Sequence, residues 1–232
     1  MTQGIAAAAR AAALPGTEIV ATEPKFGPAS IEGYYDGALA VPGLLARIVE
    51  AERDGADAHV IACFDDTGLD AGRCVALSPV IGIGEAAYHA ACMVSVRFSV
   101  VTTLARSIPV IRDNLTRYGL AQRCARVRAS EVPVLSLQSD GGVVEERIGR
   151  EVEQALASDG VDCIVLGCAG MAHLAERFSK RFQVPVIDGV AAGVAFATAL
   201  ANLGLKTSKA GGYASPTSKT YSGIFSRFAP PR

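Results

Sequence analysis

Two cysteines, Cys63 and Cys168, close matching stretches of this chain. Gly55-Ala56-Asp57-Ala58-His59-Val60-Ile61-Ala62-Cys63 recurs 105 positions on as Gly160-Val161-Asp162-Cys163-Ile164-Val165-Leu166-Gly167-Cys168, with Gly, Asp, an aliphatic pair, a small residue and the final Cys in register. Pro79-Val80-Ile81-Gly82 is echoed in nearly the same frame by Pro185-Val186-Ile187-Asp188. A duplication of this kind predicts two lobes related by a pseudo-two-fold, which turns the two sulfurs toward each other across a cleft. Opposed thiols suit inversion at a carbon centre, because the first can take a proton from one face and the second can return one to the other face. One sulfur must begin as thiolate and the other as thiol, with the roles exchanged for the opposite enantiomer, so their titrations are coupled.

Both cysteines fall at the carboxyl ends of predicted parallel strands, where ligands bind in open α/β sheets. Each precedes small or polar residues that open a helix, Phe64-Asp65-Asp66-Thr67-Gly68 in one case and Ala169-Gly170-Met171 in the other. Helix N-termini favour a thiolate, and their free N–H groups can hold an oxyanion, so lowered thiol pKa values are expected here. Buried Cys more often acts as a small hydrophobe, and Cys74, Cys92, Cys124 and Cys163 are read that way. Asp65-Asp66 has two readings, an acid and base pair or helix caps, and the caps are favoured; Glu85 carries the same ambiguity. His173 reads as a solvated helix residue that could also tune Cys168, and His59 and His89 as packing residues. Gly82-Ile83-Gly84 lacks the third glycine of a dinucleotide loop. The Cys and His spacings offer no zinc set, so no metal is expected.

Short β-branched runs alternate with longer helical patterns, the signature of βα units and mainly parallel sheets. The first half predicts a helix to Ala13, a strand at 18–21, a loop at 22–35, a helix at 39–53, a strand at 58–62, a helix at 69–74, a strand at 80–83 and a helix from Glu85. The second half predicts strands at 98–101, 125–128, 162–166 and 184–187, and helices at 105–118, 144–158, 172–182 and 190–203. The stretch 206–232, rich in Gly, Ser, Pro and Lys, is expected to wrap over the surface. The fold class is thus α/β, with two pseudo-symmetric Rossmann-like lobes of parallel sheet and the active site between them. Residues 1–96 with 205–232 form the first lobe and 97–204 the second. The halves differ in one respect: the second opens with the strand 98–101 and its Thr102-Thr103 turn, whereas the first opens directly with a helix. The first strand of that lobe is therefore expected to be missing, leaving a weaker sheet there, because parallel strands need neighbours and cover on both faces.

Composition narrows the partners. The 232 residues carry 22 Lys and Arg against 23 Asp and Glu, a net charge of −1, with no basic cluster for nucleic acid or anionic lipid. A small molecule is the expected partner. Six cysteines without a CxxC pair, in a chain this size, point to a reduced cytoplasmic protein. The alanine-rich residues 1–14 lack the basic start of a signal peptide. The longest later apolar run, 190–203, is shorter than the roughly 20 residues that span a bilayer.

Ile61-Ala62-Cys63-Phe64-Asp65-Asp66-Thr67-Gly68-Leu69-Asp70, Gly82-Ile83-Gly84-Glu85-Ala86-Ala87, Arg97-Phe98-Ser99-Val100-Val101-Thr102-Thr103 and Val165-Leu166-Gly167-Cys168-Ala169-Gly170-Met171 together resemble the hydantoin racemases of the aspartate/glutamate racemase superfamily. The likeness spans essentially the whole chain and reaches the tail at Thr207-Ser208-Lys209, Tyr213-Ala214 and Lys219-Thr220-Tyr221. It implies cofactor-independent racemisation of 5-substituted hydantoins, with allantoin racemases as near relatives, in a homo-oligomer. By the same resemblance Cys63 and Cys168 match the catalytic pair, Thr102 and Thr103 a substrate-contacting turn, and Ser30 a substrate-facing loop. Phe64, Ala169 and Gly170, next to the two thiols, complete the substrate-binding candidates. Such racemases open with a strand ending in an Asn-Pro-Asn-Thr turn, which this sequence does not contain. The chemistry agrees with the likeness, because removing the C5 hydrogen of a hydantoin gives an enolate. Its oxygen could be held by the Thr102 hydroxyl and the N–H groups after Cys168. Lesser readings are an amino-acid racemase, whose substrate would call for charged partners, a two-lobed binding module without chemistry, and an inactive truncated product.

Overall fold

The computed structural model describes residues 1–138 and 141–229. Its frame is a four-stranded parallel sheet in the order β4-β3-β5-β6, formed by β3 (Phe98–Thr102), β4 (Cys124–Ala129), β5 (Cys163–Gly167) and β6 (Val186–Asp188), beside a two-stranded parallel sheet of β1 (His59–Ile61) and β2 (Val80–Gly82). Every residue of β3 and β5 is buried, which is why neither shows a regular alternation of polar and apolar residues. They pair in register along their length and bring Thr102 opposite Gly167, one residue before Cys168. Gly167 permits this approach, since a Cβ there would lie 2.8 Å from the Thr102 Cβ.

The helices are α1 (Thr2–Ala12), α2 (Tyr34–Arg53), α3 (Leu69–Val75), α4 (Ile83–Val94), α5 (Ile108–Arg117), α6 (Gly141–Ser158), α7 (Ala175–Phe182) and α8 (Gly189–Asn202). Although α8 follows β6 in sequence, it packs against α1, α4, β1 and β2. Small residues make this contact close: a Cβ on Gly189 or Gly193 would crowd Ile83. The main core joins both sheets, with Ile83, Tyr88, Phe98, Val100, Val165 and Val190 in one buried cluster. The tail returns to the first half, where Lys209 Nζ donates to the Arg73 and Cys74 carbonyls at 2.5 and 3.2 Å, at the end of α3. Residues 230–232 of the expected surface wrap lie outside the described residues.

The structure departs from several sequence expectations. Residues 18–21 form no strand, and Val20 is 75% exposed. β-propensity needs a neighbouring strand to express itself, and among the described residues none lies beside this run. The helix expected at 39–53 begins earlier, at Tyr34, because Gly33 (φ 117°) serves as its N-cap and Asp36 Oδ2 in its first turn accepts the Glu32 N–H at 3.0 Å. The helices expected at 105–118 and 172–182 each begin with a 3-10 turn, Ala105–Ser107 and Ala169–Leu174, before the α-helix proper.

Candidate active site

Cys63 lies two residues beyond β1 and Cys168 immediately beyond β5, and both line one cavity of about 470 Å³. They are the only cysteines on its wall among the described residues, and all six are free thiols. Thr102, Thr103, Ser30, Phe64 and Ala169 also line it. Gly170 does not: its N–H instead donates to the Cys168 sulfur. The Asp65 N–H does the same for Cys63, so in each half the second residue after the cysteine points its amide at the sulfur. The Thr67 hydroxyl completes the surroundings of Cys63, with its oxygen 3.4 Å from Sγ.

These contacts do not lower the thiol pKa values, contrary to the expectation from helix termini. Burial pushes Cys63 up to about 12, with the Asp65 carboxylate adding to the rise and the Thr67 hydroxyl and Asp65 N–H opposing it. Burial pushes Cys168 up to about 11, and the charges of Asp65 and Glu32 add to it against the single opposing bond from Gly170. The geometry explains the reversal. Cys63 stands well ahead of α3, and Cys168 caps a short 3-10 turn, so neither sulfur sits on an α-helix N-terminus whose dipole could offset desolvation.

The two threonines differ in what they can offer. Thr102, 1% exposed, commits its hydroxyl to the Gly167 carbonyl at 2.9 Å, so it holds β3 to β5 and has no proton left for an oxyanion. Among the described residues no side-chain hydrogen bond engages the hydroxyl of Thr103, which lines the cavity and, unlike that of Thr102, is free to donate. Ser130 below them donates to the Thr102 and Thr103 carbonyls at 3.2 and 3.4 Å and fixes the turn.

The adjacent acids separate into two roles. Asp66 (φ 50°) accepts from the Gly84 N–H at 2.9 Å, the Glu85 N–H at 2.7 Å and the Tyr118 hydroxyl at 2.8 Å, so it caps α4 rather than the α3 that follows it. Gly82 and Gly84 make room for this contact, since a Cβ on either would collide with the Asp66 carboxylate. Asp65 lines the cavity, and burial raises its carboxyl to about 6. Glu32 reaches across from the loop before α2 to accept the Val134 N–H at 2.9 Å. Sequence reasoning weighed Asp65 as one of an acid and base pair but favoured a cap, and it gave no role to Glu32, whose charge acts on Cys168 from off the cavity wall.

Other candidates lie elsewhere. His59 pairs with Glu52 at 2.6 Å, His89 Nδ1 meets the Glu85 carbonyl at 2.8 Å, and His173 is exposed and off the cavity wall. Glu85 forms an ion pair with Arg73 at 2.5 Å. Among the described residues, no three His, Cys, Asp or Glu side chains group closely enough to hold a metal ion, and no helix is long and apolar enough to cross a membrane.

Residues 1–197 match the family described as Asp/Glu/Hydantoin racemase. The chain is 51% identical over 207 residues to a hydantoin racemase of Rhizobium meliloti, covering 89% of this chain and 86% of that protein. It is 45% identical to a hydantoin racemase of Pseudomonas sp. (strain NS671), over 98% and 92% of the two chains. Among solved structures, an allantoin racemase from Klebsiella pneumoniae superposes with a TM-score of 0.96 at 49% identity, over 99% of this chain and 94% of that one.

Proposed function

The chain belongs to the Asp/Glu/hydantoin racemase family and is a racemase, and from that premise we propose that it interconverts the enantiomers of 5-substituted hydantoins by two-base thiol chemistry. One observation carries the reading: Cys63 and Cys168, at equivalent positions of the duplicated sequence, border the same cavity. With the substrate's C5 between them, one sulfur as thiolate abstracts the C5 proton and the other as thiol delivers its own proton to the opposite face. The intervening enolate needs a donor at its oxygen, and the uncommitted Thr103 hydroxyl supplies one. Because burial holds both thiols well above neutrality, the reactive thiolate is a minority species in the empty cleft, and the rate should climb with pH.

The cleft suits a neutral ring better than a free amino acid. Lys25 is the one basic side chain on its described wall, beside the acids Glu23 and Asp65, so no cluster of basic side chains is gathered there for a free α-carboxylate. Allantoin, a hydantoin bearing a ureido group at C5, is the second reading, favoured by the likeness to the Klebsiella protein. In this proposal residues 1–96 with 205–232 and residues 97–204 are the two lobes, and the protein works as a cytoplasmic homo-oligomer.

The test incubates the protein with one enantiomer of 5-benzylhydantoin, or of allantoin, in D₂O. Circular dichroism follows the decay of optical activity, and mass spectrometry follows deuterium at C5. Decay matched by deuterium incorporation, and lost in both Cys63→Ser and Cys168→Ser, supports the mechanism. Full turnover by either variant overturns it.

A further inference from the structure

The two sides of the cleft differ at one position that bears on what the substrate presents. Two residues beyond Cys63 stands Asp65, and two residues beyond Cys168 stands Gly170. Their backbones play the same part, each N–H reaching its sulfur, but only the first carries a side chain. The Asp65 backbone is pinned from behind, because the buried Asn114 (2% exposed) donates Nδ2–H to its carbonyl at 2.8 Å. Asp65 lines the cavity, and its carboxylate receives no hydrogen bond or cation among the described residues. Asp66, one residue on, has three donors. A largely desolvated carboxylate without a donor is costly, and one held in place on a cleft wall gains its donor from whatever enters the cleft.

A hydantoin offers such donors in its two ring N–H groups, of which the imide N3–H, flanked by two carbonyls, is the stronger. We propose that Asp65 is a substrate-recognition residue whose carboxylate accepts a hydrogen bond from a ring N–H of the bound hydantoin. The proposal rests on the racemase reading of the cleft and adds to it a contact on the Cys63 side that has no counterpart on the Cys168 side. Asp65 accepts most strongly when ionised. Burial raises its carboxyl to about 6, so the charged acceptor is present at neutral pH and is replaced by a weaker, neutral one as pH falls through that value. The groups that feel its charge are Cys63, Cys168, Tyr34 from α2 and Tyr88 from α4, all of them neutral below pH 7, while Glu23 and Lys25 share the cavity wall.

The experiment is a binding cycle by calorimetry, using racemic ligand so that turnover contributes no heat. Wild type, Asp65→Asn and Asp65→Ala are each titrated with 5-benzylhydantoin and with its N1-methyl and N3-methyl derivatives, after thermal melts establish that the variants fold. Methylation of the nitrogen that meets Asp65 should weaken wild-type binding by roughly 10- to 100-fold, the range of a hydrogen bond to a charged group. In Asp65→Ala the same methyl should cost less than about threefold, with Asp65→Asn between. Asp65→Asn, nearly isosteric with Asp, carries the same steric cost from the methyl, so a penalty smaller there than in wild type reports the charged hydrogen bond rather than space freed by truncation. Wild-type affinity should also fall as pH drops from 7 to 5 while that of Asp65→Asn stays level. Equal methyl penalties in wild type and Asp65→Ala, or no binding of the parent hydantoin, overturn the proposal. Racemisation by wild type is measured separately: coupling without racemisation would leave the contact standing and remove the racemase reading, and racemisation without coupling would do the reverse.

Discussion

Gly84→Ala tests the contact that holds the Cys63 loop against α4. Gly84 is the second residue of α4, and a Cβ added there would meet the Phe64 carbonyl and lie 2.8 Å from the Asp66 Oδ2. The other oxygen of that carboxylate, Oδ1, accepts the Gly84 N–H. Phe64 and Asp66 belong to the Cys63 loop, and Gly84 and Asp66 are both buried, so the clash has no flexible chain end to displace. Overpacking of this kind costs about 1–3 kcal/mol. If the carboxylate is driven off the helix end, the two charge-assisted bonds from Gly84 and Glu85 weaken as well, each worth about 1.5–3 kcal/mol. Against this, Ala gains at most about 1 kcal/mol of helix propensity over Gly. A net loss of about 3 kcal/mol or more follows. Gly142→Ala is the matched control: it is likewise the second residue of a helix, α6, but among the described residues nothing lies within 4 Å of its added Cβ, so it should be neutral or stabilising by up to about 1 kcal/mol. Urea unfolding followed by circular dichroism, with midpoints compared at unchanged slope, measures both variants. Racemisation by Gly84→Ala should fall at least roughly tenfold, since misplacing a reacting group by an ångström is costly. If Gly84→Ala lies within about 1 kcal/mol of wild type, the close approach of α4 to the Cys63 loop does not hold the site, and the account of Asp66 fails with it.

Three further outcomes are expected. Alkylation of Cys63 and Cys168 by iodoacetamide, followed by peptide mass spectrometry, should accelerate about tenfold per pH unit from 7 to 10, because burial holds both thiols at about 11 or above; a plateau by pH 8 would contradict that. Glu32→Gln keeps an acceptor for the Val134 N–H but removes a charge that raises Cys168, so Cys168 alkylation should speed up several-fold while Cys63 is unaffected; equal changes at both sulfurs would refute the assignment. Thr102→Val should lose about 1–3 kcal/mol of stability by leaving the Gly167 carbonyl unpaired, whereas Thr103→Val should stay within about 1 kcal/mol of wild type but lose roughly 100-fold in kcat/KM; the reverse pattern would exchange their roles.

Much of the frame is legible in the sequence because its physics is local. Strands buried on both faces are rich in apolar residues without alternation, so Val100-Val101 and Ile164-Val165-Leu166 mark β3 and β5, and the duplication points to both thiols before any contact is known. What the sequence does not display depends on partners distant along the chain. The run at 18–21 has strand composition, yet strand formation is decided by whether another strand lies beside it. The acids Asp65 and Asp66 read as caps for the helix just ahead; Asp66 is indeed a cap, but for α4, whose first turn lies across a fold-back that no local pattern encodes. Gly82 and Gly84 are informative in the sequence only as an incomplete phosphate loop, since their use is to admit that carboxylate. The direction of the thiol shifts escapes residue order for the same reason: a nearby helix end can be read from it, whereas desolvation is set by everything packed around the sulfur.

Under the proposed mechanism the duplication and its departures do different work. A racemase must treat the two faces of C5 alike, and a repeated strand ending in Cys, with an N–H from the second residue onward, provides two like sulfurs. The rest of the ring has no such symmetry, because its nitrogens and carbonyls occupy distinct positions whichever enantiomer is bound. Groups that hold the ring in one orientation must therefore break the repeat. Thr103 lies beyond β3, which has no paired counterpart among the described strands of the β1-β2 sheet, and Asp65 stands where the second half has Gly170. The unmatched residues on the cavity wall are thus the ones to which substrate orientation should be most sensitive, while the matched cysteines carry the proton transfer itself.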